Sequence, residues 1–495
     1  MTETSARTSS RSGSDVSGAS PRSHAERQRS VLSSRMSRVL KELERVRSSP
    51  DADAVHNLRV ALRRCRSIAA IMKEVDPDPT WRTLRRRPRK LFRALGALRD
   101  LQVLEEWIET LTLPDNALRR ALLETLQGRE AEPRARLLEA IEAFDQKAWK
   151  RLARVLDRRV RLVTSNGAVA QCLALERHME LRRAHSRAVR TRTPERWHQL
   201  RLALKHFRYV VESFLPVRHA NLQKGLKQTQ DLLGKLNDLH MLETFVGHES
   251  AETGAEAVES LRQAICAERQ ACMTQYGLRT GGHAGVLSEW RAGLPRGARI
   301  DAATAARIRS TARALDPRFR CTVQAARLAL QLFDILATSA ADFRDVRIRT
   351  ILRTAARLHG IRGANDRRSR QKGACRVLRR LPVPVGWRRH EWEVLALTVR
   401  YHRGAEPKPT HAAFARLPAE RQELVRGLAG VLRLARALRR SGATAVIRAG
   451  GDETAGDLRL RAPGIVDNRR SAARLAAAKH LLEIYFSRRV IIERG

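Results

Sequence analysis

Two similar segments carry residues whose types and spacing could bind an anion. The segments are VHNLRVALRRCRSIAAIM (55–72) and WHQLRLALKHFRYVVESF (197–214). In each, a histidine is followed by basic residues at steps of three and four, so on a helix these side chains form one stripe, or ladder. The first ladder consists of His56, Arg59, Arg63 and Arg66, and the second of His198, Arg201, Lys205 and Arg208. Guanidinium forks and lysine ammonium groups suit phosphate oxygens, so the ladders predict a phosphate-type binding site.

An apolar stripe lies one position ahead of each ladder. It consists of Val55, Leu58, Leu62, Cys65 and Ala69 in the first segment and of Trp197, Leu200, Leu204, Phe207 and Val211 in the second. This spacing predicts two amphipathic helices that bury the apolar stripe in a core. A basic stripe beside a core is ordinarily a solvated face, but two aligned copies favour a binding role.

The duplication continues beyond the ladders. LGALRDLQVL (95–104) aligns with LGKLNDLHML (233–242), and just upstream Arg86 and Arg89 align with Lys224 and Lys227. We interpret this as an internal repeat of a multi-helix unit, with copies over about residues 29–165 and 170–285. Duplicated helical units commonly pack about a pseudo-twofold axis, so we expect both ladders to face one shared channel. A bound polyanion would relieve the repulsion between its cations.

The composition limits the class of partner. Lys and Arg number 96 against 52 Asp and Glu, a formal net charge of +44 that costs self-repulsion unless an anion neutralises it. This charge permits nucleic acid, an anionic membrane surface or a polyanion such as polyphosphate. Hydrophobic residues make up 43% of the chain and aromatic residues only 4%, which favours helices packed on helices and offers few platforms for stacked bases.

Breaks in the pattern divide the chain into four parts. Residues 1–28, rich in Ser, Arg and Gly, are predicted to be a disordered basic tail. Helical patterns fill residues 29–285 and 303–495, and the Gly- and Pro-containing residues 286–302 between them are predicted to be a linker.

Three short alternating segments near the end predict a small antiparallel sheet: 444–450, 457–463 and 489–493. The predicted fold class is therefore mainly α, with a duplicated pair of helical bundles followed by a second helical domain that ends in a small β-sheet.

The repeated pattern VHNLRVALRRCR…LGALRDLQVL and WHQLRLALKHFR…LGKLNDLHML resembles the CHAD family, the conserved-histidine α-helical domain. The resemblance covers roughly residues 29–285. It implies two similar helical bundles with their histidines and basic residues around a central cavity, and an association with inorganic polyphosphate. By motif position it assigns polyphosphate binding to both ladders, and the aligned Arg86, Arg89, Lys224 and Lys227 are predicted to join them.

The second copy departs from the first at two positions. His206 stands where the first copy has Arg64, and Asn237 stands where it has Arg99. Each change removes a cation, so the second half is predicted to hold anions slightly less tightly.

Four segments in the second half occur in a recognisable order: AARLALQLFDIL (325–336), ILRTAARLHGIR (351–362), VLALTVRYHRGAEP (394–407) and LAGVLRLARALRRS (428–441). Over about 303–495 the chain thereby resembles the C-terminal HD-like domain of exopolyphosphatases and guanosine pentaphosphate phosphohydrolases. A working HD site needs a His–Asp pair and further ligands for a divalent metal. Here Gly360 follows His359, and residues 367–381 contain no histidine, so the site is predicted to be degenerate.

The function predicted from the sequence is non-catalytic binding of inorganic polyphosphate in the basic cavity between the ladders. The alternatives are a nucleic-acid-binding protein, with non-specific nucleic acid as a partner, and an enzyme acting on polyphosphate or phosphorylated nucleotides. No catalytic residue, metal ligand or cofactor is predicted. No 18-residue apolar run occurs, so no membrane insertion is expected, and cysteines without CxxC pairs fit a cytoplasmic location. Association with polyphosphate granules is a further expectation.

Overall fold

The structure is a computed structural model that describes residues 30–110, 116–249, 255–362, 370–449 and 456–494. The predicted disordered tail, residues 1–28, lies outside the described residues. Within them, helices dominate both halves and short strands lie near the end. The predicted fold class, mainly α with a small terminal sheet, is therefore confirmed.

The first half contains two successive series of helices, one for each sequence repeat. The first series is α1 (Val31–Ser48), α2 (Ala52–Val75), α3 (Pro79–Arg86), α4 (Arg89–Thr110), α5 (Asn116–Gly128), α6 (Ala131–Glu142) and α7 (Gln146–Val160). The second series is α8 (Ala168–Thr191), α9 (Pro194–Phe214), α10 (Pro216–Glu249) and α11 (Ala255–Thr280).

Local sequence explains where the helices that carry the ladders begin. Asp51 precedes α2, and its side chain accepts the backbone N–H of Ala54 at 2.7 Å. This cap satisfies one of the donors that the first turn of a helix leaves without a partner. α9 begins at Pro194, whose fixed φ suits a first turn and whose missing N–H is not needed there.

Two apolar clusters hold the repeats together. The larger draws buried side chains from both series, including Leu62 of α2 and Phe207 of α9. The smaller joins α4 and α5 to α10 and α11, and contains Leu104, Leu126 and Leu242. Because each cluster takes residues from both series, the two repeats form one packed unit.

The predicted linker, residues 286–302, is not an extended connection. It contains α12 (Val286–Ala292) and the start of α13 (Ala298–Leu315). Trp290 of α12 is buried in the larger cluster and stacks on Phe207 with ring centroids 5.8 Å apart. Gly and Pro mark the breaks on either side, but the apolar residues between them are enough to anchor a short helix.

The second half is a helical domain around its own core. After α13 it contains α14 (Phe319–Leu336), a 3-10 turn (Ala341–Arg344), α15 (Val346–Leu358), α16 (Arg370–Arg380), α17 (Arg389–Tyr401), α18 (Ala412–Ala415), α19 (Ala419–Arg440) and α20 (Arg469–Phe486). Its core includes Leu332, Leu395 and Leu432. No helix in the described ranges is long and apolar enough to cross a membrane.

The small sheet has the predicted strands but a different pairing. β1 (Ile447–Arg448), β2 (Leu458–Arg461) and β3 (Val490–Glu493) fall within the three alternating segments. β1 pairs with β2 antiparallel, whereas β2 and β3 are parallel. The expectation of an antiparallel sheet is wrong, because α20 forms a crossover that returns β3 in the direction of β2.

The two halves meet through α13, which packs on α8. Arg307 of α13 forms a buried ion pair with Glu176 of α8, and Glu176 also accepts the backbone N–H of Val385 at 3.3 Å. The hydroxyl of Thr304 donates to the carbonyl of Val385 at 2.9 Å. A buried ion pair is tolerated when such additional hydrogen bonds satisfy it, so this interface has well-defined polar contacts.

Candidate functional site

The helices that carry the two ladders pack against each other. α2 contacts α9, and a cavity of about 290 Å³ lies between them and α10. Residues of both repeats line this shared cavity: His56 and Arg63 from the first ladder, Arg208 from the second, and Lys227 from α10. His198 lies elsewhere, on a neighbouring cavity beside Trp197. The structure thus brings cations of both halves together but separates the two ladder histidines.

Lys205 is the most buried cation of the ladders, with only 9% of its surface exposed. Burial lowers the pKa of Lys205 to about 7, and the positive charges of Arg201, Arg63 and Arg59 act in the same direction. Arg201 is similar, since burial lowers its pKa while the Asp238 carboxylate opposes that shift. Near neutral pH, an approaching anion would therefore favour the charged form of Lys205.

Side chains of α4 position the first ladder. Arg59 donates to Asp100 at 3.3 Å. The guanidinium of Arg66 lies over the ring of Phe92, 4.4 Å from its centroid, in a cation–π contact. These contacts fix the arginines while leaving further N–H donors of each guanidinium for other partners.

Side chains of α10 position the second ladder from equivalent places in the repeat. Arg208 donates to Gln230 at 2.8 Å, and Gln230 aligns with Phe92 of the first copy. Asp238, which aligns with Asp100, is half-buried near Arg201. Burial raises the pKa of Asp238, and the charge of Arg201 opposes the rise. Both copies thus use the same cross-helix positions with partly different chemistry.

The histidines that head the ladders have different neighbours. Partial burial lowers the pKa of His56, and the charges of Arg99, Arg63 and Arg59 add to this effect. In the second copy Asn237 replaces Arg99, and the Nδ1–H of His198 donates to its side-chain oxygen at 2.8 Å. The hydrogen-bond assignment follows from the amide oxygen, which can only accept.

Several guanidinium donors of the ladders have no protein acceptor. The buried Nε atoms of Arg59, Arg63, Arg201 and Arg208 make no hydrogen bond within the part of the chain that the structure describes. A buried donor left without a partner costs roughly 1–3 kcal/mol. Oxygens of a bound anion would satisfy such donors, and Arg63 and Arg208 line the shared cavity, so that cavity has the chemistry of an anion site.

A second group of titratable residues lies in the second half, where α15 and α17 end. His359 and His402 directly follow these helices, with ring centroids 5.0 Å apart. They line a cavity of about 100 Å³, here named the His359–His402 pocket. Five arginines also line it: Arg318, Arg362, Arg403, Arg436 and Arg439.

Both imidazoles of this pocket have a fixed orientation. The Nδ1–H of His359 donates to the carbonyl of Ala356 at 2.7 Å, and that of His402 donates to the carbonyl of Val399 at 2.6 Å. Because a carbonyl oxygen only accepts, Nδ1 carries the proton and Nε2 has a lone pair in the neutral ring. Burial lowers the pKa of His359 to about 4 and holds the pKa of His402 well below its ordinary value, so both rings are neutral at pH 7.

Asp316 lies against Gly360 at the side of the pocket. A Cβ atom at position 360 would collide with a carboxylate oxygen of Asp316 and with the hydroxyl of Thr322. Asp316 is buried, and it accepts hydrogen bonds from the Thr322 hydroxyl and, at 2.8 Å, from the backbone N–H of Arg318. Gly360 is thus required by the position of Asp316, which sequence inspection could not show.

Comparison with known families identifies both halves. Residues 30–247 match the family model of the CHAD domain. The chain contains a CHAD domain. Residues 307–457 match domain III of the Ppx/GppA phosphatases, in agreement with the resemblance that the second half of the sequence indicates.

Solved structures include one with a similar domain, the crystal structure of the CHAD domain from the plant Ricinus communis. It is 21% identical, covers 53% of this chain and 89% of its own, and superposes with a TM-score of 0.38. No curated protein matches the chain.

Four further cations are predicted to join the ladders of the CHAD domain. Lys227 lines the shared cavity. Arg89 lies near Arg66. Burial lowers the pKa of Arg66 most, and the charges of Arg85 and then Arg89 lower it further. Arg86 and Lys224 are exposed, and no described contact joins them to either ladder. Arg85, the neighbour of Arg86, therefore lies closer to the CHAD site than the sequence alignment suggests.

Glu212 is a residue of the CHAD site that the sequence analysis misses. Its carboxylate forms ion pairs with Arg35 at 3.2 Å, Arg64 at 3.1 Å and Arg208 at 4.0 Å. Glu212 also lines the shared cavity. The available signal is its spacing, because Glu212 follows Arg208 by one helical turn and so continues the second ladder with the opposite charge.

The residues of the Ppx/GppA-like domain do not fit the metal site of HD enzymes. Gly360 supplies no carboxylate, and both oxygens of Asp316 already accept hydrogen bonds. Among the described residues, no group of three or more His, Cys, Asp or Glu side chains could hold a metal ion.

The Ppx/GppA-like domain also has a larger basic cavity, of about 590 Å³, along α16 and α17. Lys372, Arg379 and Arg400 contribute to its lining, together with Tyr401, whose hydroxyl lies 2.9 Å from Nδ1 of His411. Residues 371–381, the described part of the basic stretch that lacks histidines, thus supply cations to a concave surface.

Proposed function

We propose that this protein binds inorganic polyphosphate in the shared cavity of its CHAD domain and does not hydrolyse it. The observation that carries the proposal is the convergence of cations from both repeats. Burial lowers the pKa values of Lys205 and Arg201, and the nearby charges of Arg59 and Arg63 lower them further, as expected for like charges held together. Such an arrangement is stabilised when an anion binds.

The geometry of the ladders favours an extended anion. Neighbouring members of a ladder are three or four residues apart, which is roughly 4.5–6 Å along a helix. A chain of phosphates presents charged oxygens along its whole length, so it can contact successive members and both ladders together. Binding would release counterions and would therefore weaken as the salt concentration rises.

Polyphosphate is favoured over nucleic acid by the lack of stacking surfaces. Proteins that bind single strands without sequence preference place aromatic rings against the bases. Phe92 lies beside the first ladder and is covered by the guanidinium of Arg66, and Tyr209, which lines the shared cavity, is only 7% exposed, so little aromatic surface is open for stacking. The matches to the CHAD domain and to domain III of the Ppx/GppA phosphatases support the same choice, since both families are associated with polyphosphate.

Competition between polyanions tests this choice. Labelled long-chain polyphosphate is first bound to the full chain at about 0.15 M salt, where weak surface attraction is screened. Unlabelled polyphosphate, single-stranded DNA or RNA is then added as a competitor at equal phosphate concentration. We expect polyphosphate to compete at least tenfold better than either nucleic acid. If DNA or RNA competes as well as polyphosphate, the nucleic-acid alternative replaces the proposal.

The absence of hydrolysis is proposed on chemical grounds. Hydrolysis of a phosphoanhydride needs a positioned water and neutralised charge on the leaving oxygen, commonly through a metal held by carboxylates and imidazoles. Arginines can hold the substrate but offer no general base near neutral pH, and Lys205, which is partly neutral at pH 7 in the free protein, would be charged with the anion bound. Among the described residues, the imidazole of His56 makes no hydrogen bond to a carboxylate that would orient it, although the charge of Asp53 lies near it.

Phosphate release from polyphosphate and from a guanosine pentaphosphate, followed over hours with Mg²⁺ and with Mn²⁺, tests the non-catalytic part. We expect no release above that of a heat-denatured sample. Turnover that depends on the metal and is lost in His359→Ala would restore the enzyme alternative.

A further inference from the structure

The His359–His402 pocket lies in the Ppx/GppA-like domain and is separate from the ladders. Its volume, about 100 Å³, is a few times the roughly 30 Å³ that one water molecule occupies in the liquid. Five arginines line it, and its carboxylate, Asp316, already accepts two hydrogen bonds. The pocket is therefore small and strongly cationic, which suits one compact anion and not a chain threaded through it.

The paired imidazoles add a second requirement. Both rings carry their proton on Nδ1 and donate it to a backbone carbonyl, which leaves a lone pair on each Nε2. No hydrogen bond to either Nε2 is found among the described residues. A fully deprotonated anion would place negative oxygens against these lone pairs, whereas an anion with a hydroxyl can donate to one of them.

We propose that the His359–His402 pocket binds a single phosphoryl group that carries a hydroxyl, with guanidinium groups on its charged oxygens and an imidazole Nε2 accepting its O–H. Orthophosphate and the end of a phosphate chain both have such a group at neutral pH. Internal phosphates of a chain, cyclic phosphates and sulfate do not. No bond is made or broken in this binding step.

The charged groups and imidazoles that line the pocket come from four places in the chain. The turn between α13 and α14 supplies Asp316 and Arg318, the end of α15 supplies His359 and Arg362, the end of α17 supplies His402 and Arg403, and α19 supplies Arg436 and Arg439. Because Asp316 is the acidic member of this set, the net charge of the pocket is strongly positive.

Two neighbouring arginines of α19 allow a matched test on the full chain. Arg439 lines the pocket, whereas Arg440 is the exposed next residue and does not. Arg439→Gln and Arg440→Gln each remove one charge from the same end of the same helix. The affinities of both variants are measured by calorimetry for orthophosphate, sulfate, linear tripolyphosphate and cyclic trimetaphosphate at constant ionic strength.

We expect Arg439→Gln to weaken orthophosphate about tenfold relative to Arg440→Gln, and to leave trimetaphosphate and sulfate within twofold. Linear tripolyphosphate separates the two sources of the group. A larger loss than for orthophosphate identifies a chain end as the occupant, and a smaller loss identifies free phosphate. Binding of polyphosphate to the ladders contributes equally to both variants, so failure of the CHAD proposal does not affect this comparison.

The role of the imidazole is tested with His359→Phe, which keeps a ring but removes the acceptor. The wild type is expected to prefer orthophosphate over sulfate, and this variant is expected to lose that preference. The proposal is overturned if Arg439→Gln and Arg440→Gln weaken all four anions equally, or if trimetaphosphate binds the pocket as well as orthophosphate does. The arginine pair decides the matter even if His359→Phe does not fold.

Discussion

The two ladders of the CHAD domain have the same sequence pattern but different surroundings. Arg66 of the first ladder stacks on Phe92, whereas Arg208 of the second hydrogen-bonds to Gln230 at the equivalent position. Arg63 is partly exposed, whereas its counterpart Lys205 is buried. A repeated motif therefore fixes where the cations lie, and the partner helix fixes how strongly each one is desolvated.

This difference suggests a division of roles between the ladders. Charges that are already partly desolvated lose less hydration when an anion binds, so each of their contacts is stronger. The second ladder should therefore contribute more affinity per residue, and the more exposed first ladder should contribute more to the long-range attraction of the anion. The sequence alone predicts the opposite order, because the second copy has fewer cations.

Among the single substitutions, Arg201→Gln should cause the greatest loss of polyphosphate affinity, greater than the loss caused by Arg59→Gln. Arg201→Gln removes a desolvated cation and leaves Asp238 near the anion, so polyphosphate affinity should fall by tenfold or more, in line with roughly 1.5–3 kcal/mol for a charged hydrogen bond. Arg59→Gln removes a cation that is 27% exposed, so its loss should be about two- to fivefold. Titration of both variants at one salt concentration checks the order. A greater loss for Arg59→Gln would contradict the division of roles.

The next effect concerns pH. The pKa of Lys205 is lowered to about 7, so at pH 8 much of this lysine is neutral in the free protein, and a bound polyanion should return its proton. Polyphosphate affinity should therefore decrease as the pH rises above about 7, by up to tenfold per unit for one fully coupled proton.

By the same linkage the unfolded chain binds more protons at Lys205 between pH 7 and the ordinary lysine pKa, so the contribution of Lys205 to stability rises with pH in that range.

Calorimetry at pH 8 in two buffers with different heats of ionisation measures this proton uptake. Lys205→Met should abolish it, and Lys224→Met, which changes an exposed lysine, should not. His56, whose pKa is lowered, adds uptake only at more acidic pH. Equal uptake by wild type and Lys205→Met would show that the buried lysine does not respond to the anion.

A smaller effect is expected from exchanging the supports of the arginines. Phe92→Gln gives the first copy the residue of the second and removes the cation–π contact of Arg66, worth about 0.5–2 kcal/mol. We expect polyphosphate to bind about two- to fivefold more weakly. A double-mutant cycle with Arg66→Gln checks that the loss acts through this arginine. Additive losses would mean that Phe92 does not position Arg66 for binding.

The smallest expected effect comes from Asn237→Arg, which gives the second copy the cation of the first. The added charge should tighten binding by about twofold and steepen the salt dependence of log Kd by about 0.7. The new side chain also removes the acceptor of the His198 Nδ1–H. An unchanged salt slope would place position 237 outside the reach of the anion.

Much of the fold follows from local patterns in the sequence. Helical periodicity and the Asp and Pro residues at helix starts locate α2 and α9, and they place each ladder on one face. The alignment of the repeats also contains the contacts that position the ladders, because Asp100 and Asp238 lie at the same place in each copy. Pairing these carboxylates with Arg59 and Arg201 required knowing which face of α4 and α10 meets the ladder helices.

Other features depend on contacts that local patterns do not contain. Alternation indicates the strands, but the parallel pairing of β2 with β3 results from the crossover through α20. In the sequence, Gly360 indicates the loss of a metal ligand. In the structure, the space that a side chain at position 360 would occupy is filled by Asp316, which follows the end of α13. The spacing of Glu212 after Arg208 places it at the end of the second ladder, but its contacts with Arg35 and Arg64 come from two other helices, which local patterns do not bring together.

Binding of polyphosphate in the shared cavity is best tested by comparing two double variants that remove different pairs of charges. Arg63→Gln with Lys227→Gln removes one cation of each repeat from the shared cavity, and Arg154→Gln with Arg183→Gln removes one exposed cation of each repeat elsewhere on the CHAD domain. Both variants lose the same net charge, and polyphosphate is titrated into each at about 0.15 M salt. A shared binding cavity predicts a loss on the order of tenfold for the first pair, from two partly solvated charge contacts worth about two- to fivefold each, and less than threefold for the second. Equal losses would show that polyphosphate responds only to the overall charge, and would contradict binding in the shared cavity.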